Sequence, residues 1–403
     1  MEDFIQLLEP GQRIFVGASS NEPAGLLAQL SQLQLPERLH FVQFPIGGMN
    51  TFDFTALHES YQQTTFFMTP ALRDADPQRL HYLPMQMRAV FDYLAEHIDV
   101  ALLQVAYDRH GTLRLGPNVD FVDAVLGSAA VVIAELNQGI TAPAGCPQIA
   151  PDRLHYVYES QRPAAQLPGP KIDSAAAKIG GLVADLIRDG DCIQTGIGAI
   201  PAAILQGLQD KNDLGLHGGL IDDGGMQLIQ QGVVNGSRKP IDTGKHIAGM
   251  ALGTTALYDW LADQPDVLFR GADHTHEVAS IRQLPNFVSV NSAVEIDLYG
   301  QVNAEYAGGR QISGTGGSVD FMRAAKASPG GRSIVAMNAT ARGGSVSRIV
   351  PKVELVTALR TDVDIVVTEF GVAQLRNLPH AARREALINI AAPQFRDELR
   401  AAD

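Results

Sequence analysis

The chain repeats itself in order, and this constrains its fold more than any other feature. Residues 11-GQRIFVGASSNEPAGLLAQL-30 and 190-GDCIQTGIGAIPAAILQGL-208 share one plan. A Gly-polar turn leads to a short β-type run, a loop of small residues, and an amphipathic helix with proline near its start. Each reads as strand, loop, helix. Pro23 and Pro201 are tolerated in the first helical turn, where a backbone N–H has no intrahelical acceptor to lose. A second pair is 99-DVALLQVAYDRHGTLRLG-116 and 287-FVSVNSAVEIDLYGQVNAE-305. Both run from an apolar strand into D-x-x-G, Asp108 to Gly111 and Asp297 to Gly300, a turn that returns into another strand. A third is 130-AVVIAELN-137 and 364-DIVVTEFG-371, buried-strand runs that reach a glutamate and then a small loop. Alternating runs of this kind are common to all α/β proteins and explain each pair. They do not explain three pairs in the same order, which duplication of an α/β unit does.

The 403-residue length suits two domains of similar size. The segment 159-ESQRPAAQLPGPKID-173, rich in proline and polar residues, marks the join. The expected division is therefore a domain over 1–160, a linker over 161–174, and a second domain over 175–403. Continuous apolar runs such as VVIA and DIVVT predict largely parallel strands covered on both faces by helices. The fold class is α/β, two similar open domains with mainly parallel sheets.

Charge and composition exclude several functions. A formal charge of −13 argues against nucleic acid as a partner, since phosphate backbones need a concentrated basic surface. Cys146 and Cys192 lie far apart with no C-x-x-C spacing, which argues against a zinc site or disulfide framework and fits a reducing cytoplasm. No uninterrupted apolar run is long enough to span a bilayer, and the start MEDFIQLLEPGQR does not read as a signal peptide.

Three glycine-rich loops are candidate sites. In 194-QTGIGAIPAAIL-205 a strand ends, a turn containing Gly196 and Gly198 follows, and a helix begins. Unpaired N–H groups at such a helix start suit an anion or a developing oxyanion; a tight strand–helix turn is the plainer alternative. In 308-GGRQISGTGGSVDF-321, glycines 314, 316 and 317 crowd around Ser313 and Ser318, consistent with close backbone approach to a ligand or another loop. In 341-ARGGSVSRIVPK-352, Arg342, Arg348 and Lys352 suit phosphate contact, or simply a solvated hairpin. His274 and His276 in GADHTHE have no third metal ligand nearby and read as surface or hydrogen-bonded histidines, so no metal is expected.

Together these segments resemble the acetyl-CoA hydrolase/transferase family. The likeness rests on GIGAIPAAIL (196–205), GVVNGSRK (232–239), NSAVEIDLYGQVNAE (291–305), GTGGSVDF (314–321) and VVTEFGVAQLR (366–376). The resemblance implies two α/β halves with the active site between them, acyl-CoA as ligand, and a homodimer or homotetramer. It also implies oxyanion donors from backbone N–H groups near Ile200 and within 314–317, including Gly316, with Gly196, Gly198, Gly314, Gly317, Ser318, Arg342 and Arg348 at the substrate. Family transferases attack the thioester with a glutamate in a segment read as H-[ST]-E-M-x-[ST]-D-G. Here the matching run is His217, Gly218, Gly219, Leu220, Ile221, Asp222, Asp223, Gly224. Gly219 stands at the nucleophile, and no glutamate occurs between Glu159 and Glu277. Glycine cannot form the mixed anhydride and glutamyl thioester that covalent CoA transfer requires.

The expected activity is therefore acyl-CoA chemistry without that intermediate: hydrolysis, or acyl transfer to a small nucleophile. The space freed by Gly218 and Gly219 would admit water or a second substrate. Asp222 or His217 would act as base; for Asp222 and Asp223 the plainer role is a turn bonding local N–H groups. Two alternatives are a CoA-transferase between carboxylic acids that uses a displaced Asp222 or Glu295, and a catalytically silent acyl-CoA binder or partner subunit. Gly219→Glu is expected to create or strengthen transferase activity.

Overall fold

The computed structural model describes residues 2–402. The chain forms two compact units. The first holds the residues up to Pro168 together with Leu220–Asp223 and Ile247–Thr275; the second holds Gly169–Gly219, Gly224–His246 and the residues from His276 onward. The main boundary falls inside the expected linker. A continuous second domain from residue 175 does not capture the two returning segments. Leu220–Ile221 pairs in parallel with Met250–Ala251, so these segments hold each other within the first unit.

The first unit is built on β1 (Arg13–Val16), β2 (His40–Gln43), β3 (Gln62–Thr65), β4 (Leu80–Tyr82), β5 (Val100–Tyr107), β6 (Leu113–Leu115), β7 (Val131–Asn137) and β8 (Tyr156–Ser160). They lie in the order β4-β3-β2-β1-β5-β7-β8, with β6 folded back antiparallel on the end of β5. All other neighbours run parallel. Helix α1 (Ala24–Leu30) follows β1 and buries Leu26, Leu27 and Leu30 in a core with Ile14, Val16, Phe41 and Leu102. Each such side chain contributes roughly 1.5–3 kcal/mol on burial, which holds helix to sheet.

The second unit repeats the plan with β9 (Cys192–Gln194), β10 (Gly215–Leu216), β11 (Phe287–Asn291), β12 (Arg332–Ala336), β13 (Ile365–Thr368) and β14 (Gly371–Gln374). Their order is β10-β9-β11-β12-β13-β14, parallel except for the final hairpin. Its longer helices are α2 (Ser174–Ala184), α3 (Ala199–Gln206), α4 (Ser318–Ala327) and α5 (His380–Asn389). Ile179, Val183, Ile204 and Leu205 of α2 and α3 pack with Val288, Val290 and Ile334 of the sheet. Strands with both faces covered are buried at every position, and FVSVN and IVVT are buried throughout, Ser289, Asn291 and Thr368 included.

Strand order refines the repeat. β1 and β9 occupy equivalent positions, with β2 and β10 on one side and β5 and β11 on the other. The D-x-x-G turns also agree: Asp108 Oδ1 accepts from the N–H groups of His110 and Thr112 at 2.8 Å each. Asp297 Oδ1 accepts from Tyr299 at 3.0 Å and Gln301 at 2.9 Å. The third pairing is one strand out of step. β7 lies directly beside β5, whereas β12 separates β13 from β11, so β12 is the positional equivalent of β7. Both β12 and β13 are short buried runs, and apolar composition alone does not distinguish them. No helix among the described residues is long and apolar enough to cross a membrane.

Candidate functional site

In the second unit the chain leaves β9 toward β10 on one side, while β11 pairs on the other. At such a reversal the loops beyond the carboxyl ends of the strands diverge and leave a crevice, the usual ligand position in open α/β sheets. Asn291 Nδ2 donates to Gln194 Oε1 across this point at 3.3 Å. A cavity of about 260 Å³ opens beyond it, lined by Ile197, Gly198, Ile200, Ser292, Asn338 and Arg348 among others.

Gly198 caps α3 with φ +122°, a backbone conformation closed to other residues without strain. The first intrahelical bond here runs from Ala202 N to Gly198 O. Pro201 carries no N–H, so Ala199 and Ile200 supply the two donors at this helix start that have no intrahelical acceptor. Both residues line the cavity. Arg348 is half-buried, and its Nε is enclosed with no hydrogen-bond partner. Burial pushes its pKa down, and the nearby carboxylates of Glu295 and Glu369 oppose that shift. Neither glutamate bonds the guanidinium directly: Glu369 accepts from Ala339 N at 2.8 Å, and Glu295 from Asn303 Nδ2 at 3.4 Å. The cavity thus carries a cationic group with an unused donor beside two backbone donors.

A second cluster lies at the same end of this sheet. His217 N bonds to Ile193 O, and a Cβ on Gly218 would meet Gln194 Cγ at 3.1 Å. Gly219 is not beside open space. A Cβ there would lie 3.2 Å from both Cε1 and Nε2 of His276. The same imidazole presses on Gly317, where a Cβ would come within 2.2 Å of Nε2. Phe321 covers another side of the ring, with centroids 4.4 Å apart. His276 is 1% exposed, and burial lowers its pKa to about 3, so the ring is neutral. The room expected next to Gly219 is bounded on this side by the imidazole, 3.2 Å from where a Cβ would lie. The glycine of the nucleophile segment and the last glycine of GTGG are complementary to one histidine.

The remaining sequence candidates separate. His217 is fully buried, edge-on to Phe287 with centroids 6.4 Å apart. Gly316 adopts φ +54° in the turn ahead of α4, and Ser318 Oγ donates to Thr315 O at 2.9 Å, closing that turn. Gly314 precedes it, and Gly196 is half-buried at the end of β9. Arg342 is exposed on a hairpin tip at φ +49° and does not line the cavity with Arg348. Asp222 and Asp223 belong to the first unit. Asp222 is half-buried. Asp223 begins the helix Asp223–Gln230 and accepts from Thr254 Oγ1 at 2.6 Å and Thr254 N at 3.1 Å, a structural role. Sequence reasoning missed His276, Ser292 and Asn338. The only signal for His276 was a pair of side-chain-free positions in two distant motifs.

Comparisons with known proteins agree with this architecture. The acetyl-CoA hydrolase/transferase N-terminal domain matches residues 1–162, and the acetyl-CoA hydrolase/transferase C-terminal domain matches residues 253–402. The chain is 36% identical over 407 residues to 4-hydroxybutyrate coenzyme A transferase of Clostridium kluyveri, covering 99% of this chain and 95% of that protein. It is 32% identical over 217 residues to acetyl-CoA hydrolase of Yarrowia lipolytica, covering 51% of this chain and 39% of that protein. Among solved structures, RipA from Yersinia pestis superimposes with a TM-score of 0.92 at 32% identity, covering 100% of this chain and 95% of that one.

Proposed function

Because the chain belongs to the acetyl-CoA hydrolase/transferase family and is an enzyme of it, we propose that it processes acyl-CoA thioesters without a glutamyl-CoA intermediate. Hydrolysis, or direct acyl transfer to a small nucleophile, is the reaction this reading favours. One observation carries it: the imidazole of His276 packs against Gly219, where the family nucleophile would project. Neither residue supplies a carboxylate.

In this reading the N–H groups of Ala199 and Ile200 stabilise the oxygen of the thioester carbonyl as charge develops on it. Arg348 holds an anionic part of the substrate, since its guanidinium side chain lines the cavity. Water attacks the carbonyl carbon, the carbon–sulfur bond breaks, and CoA leaves as a thiolate that takes up the proton lost by water. Asp222 is the proposed proton acceptor, with His217 as the alternative. His217 is fully buried. The test is release of free CoA from a panel of short acyl-CoA thioesters with no carboxylic acid present. Steady release, falling about a hundredfold in Asp222→Asn, supports the reading. No release from any thioester until an acid is added ends it.

A second reading is CoA exchange between acids with Glu295 or Asp222 as a displaced nucleophile. It is favoured by the full-length similarity to a CoA-transferase and by the electrostatic coupling of Glu295 to Arg348. It requires strict dependence on an acid acceptor and a protein thioester that hydroxylamine cleaves. Turnover without either excludes it.

A further inference from the structure

The amino end of the second unit's sheet carries a feature that the acyl-CoA reading does not use. A cavity of about 560 Å³ lies where Val363 and Asp364 enter β13. The acyl cavity lies at the other end, past the carboxyl ends of β9, β11 and β12. Lys326, Arg360, Arg376 and Arg383 line this second cavity, with Asp364 as the one carboxylate among its lining residues. A chain with formal charge −13 gathers four cations around a single hollow.

These cations are poorly neutralised. Arg360, Arg376 and Arg383 form no ion pair among the described residues. Lys326 Nζ stands 3.6 Å from Asp364 Oδ1, a buried oxygen with no hydrogen bond. Arg383 is held by carbonyls alone, donating through Nη1 to Leu375 O at 3.2 Å and through Nη2 to Arg360 O at 2.7 Å. Its Nε is buried without a partner. Burial first, and then the positive charge of Arg360, push its pKa down, while the nearby carboxylate of Asp364 opposes the shift. Arg376 Nη1 donates to Gly331 O at 3.0 Å and keeps its other donors.

The backbone is arranged to the same end. The ten-residue helix α5 begins at His380 in this cavity, after Pro379, with no side chain capping its first turn. Its free N–H groups add partial positive charge there. The Asp297–Gly300 turn closes the opposite side. Gly300 has φ +87°, and a Cβ on it would fall 2.7 Å from Arg383 Nη2, so only glycine lets the guanidinium lie on this turn. The turn also stacks Tyr299 on His380, with centroids 5.1 Å apart and rings 14° from parallel. This flat pair borders the cations.

We infer that this cavity binds a nucleoside di- or triphosphate, its phosphates among Arg360, Arg376, Arg383 and the start of α5 and its base against the Tyr299–His380 pair. Small-molecule sites commonly span about 300–1,000 Å³, so the hollow suits a nucleotide and exceeds what a lone inorganic anion fills. Guanidinium forks match phosphate oxygens in pairs. The site is separate from the acyl-CoA pocket and does not depend on which acyl reaction the enzyme performs.

The experiment is calorimetric titration of the full chain with ADP, adenosine and inorganic phosphate, repeated on Arg376→Gln and Arg360→Gln, with acyl-CoA turnover measured alongside. Arg360 is exposed, so its variant guards against misfolding. Expected are ADP binding that weakens as salt rises, weaker binding of phosphate and adenosine, and about tenfold or greater loss of ADP affinity in either variant. The KM for acyl-CoA stays unchanged in both. Failure of the wild-type chain to bind ADP at millimolar concentration overturns the inference, as does undiminished affinity in both variants. Phosphate binding as tightly as ADP removes the nucleoside. Displacement of ADP by acyl-CoA, with KM rising in the variants, makes the cavity the nucleotide end of the CoA substrate and refutes a separate site.

Discussion

Gly219→Glu tests how the site is built. From the motif alone the change restores the family nucleophile and with it CoA transfer. The packing around Gly219 forecasts failure. The new Cβ would sit 3.2 Å from two atoms of His276, inside the 3.5–4.0 Å of a relaxed carbon contact, with a methylene and a carboxylate still to place beyond it. The ring has little room to withdraw, since Gly317 abuts Nε2 and Phe321 covers another side. Overpacking of a well-filled interior costs roughly 1–3 kcal/mol, and a carboxylate forced against a neutral, buried imidazole adds its own desolvation. The single variant is therefore expected to lose about 2–4 kcal/mol of unfolding free energy and to gain no transferase activity. His276→Ala alone leaves a cavity and costs about 2–4 kcal/mol. In Gly219→Glu/His276→Ala the glutamate enters the space the ring leaves, so the penalties fail to add by at least about 1.5 kcal/mol. Urea denaturation of the four proteins measures this coupling. Acetate-dependent CoA exchange, with hydroxylamine trapping, reports whether a glutamyl thioester forms. A Gly219→Glu protein of wild-type stability that exchanges CoA would refute the argument, for it would mean the imidazole yields freely.

Three other changes probe separate parts of the fold. Asp120 is buried, its Oδ1 has no partner, and burial pushes its pKa up to about 8. The folded state keeps a proton that the unfolded chain releases near 3.8, so this group's contribution falls as pH rises between the two values, by about 1.4 kcal/mol per pH unit at most. Asp120→Asn flattens that slope, and its advantage over the wild type should grow from pH 5 to pH 8; parallel stability curves would contradict this. Asp223→Ala removes the acceptor of both Thr254 bonds and should cost about 1–3 kcal/mol of stability, with kcat changed little in the protein that remains folded. Arg348→Gln should raise KM for acyl-CoA about tenfold or more with a smaller change in kcat, since the proposed role is to hold substrate; an unchanged KM removes Arg348 from the binding surface.

The legible parts of the fold were those set by local physics. The D-x-x-G turns could be read because an aspartate that bonds the N–H groups two and four residues on determines its own geometry, and both copies do so. The fully buried strands could be read because helix cover on both faces favours a mostly apolar run, with a few small or polar residues buried in it. Which run lies beside which was not legible: VVIAELN was matched to DIVVT when its positional counterpart is RSIVA. Strand order is decided by crossover connections rather than by composition. The two compact units divide at residues 168–169, within the proline-rich segment, but Leu220–Asp223 and Ile247–Thr275 return to the first unit through pairing that no local pattern announces. In the site, the strand–turn–helix start at Gly198 was legible from a glycine turn ahead of a proline-bearing helix, while Ile200 was named only through the family resemblance. His276 did not, because a histidine in GADHTHE reads the same whether it faces solvent or sits buried between two glycines.

That histidine changes what the missing nucleophile means. Replacing a buried glutamate by glycine and nothing else would leave a hole, and holes of that size are destabilising in proportion to their volume. Here the neighbouring volume is filled by a ring that requires glycine at residue 317 and leaves no slack for a Cβ at residue 219. The three residues come from separate segments and fit one another sterically, so the surroundings of the former carboxylate are packed around a neutral group. Restoring the carboxylate alone asks one position to act against two others. That packing is what the proposed chemistry without a glutamyl intermediate would expect, and the Gly219→Glu/His276→Ala pair is the measurement that decides it.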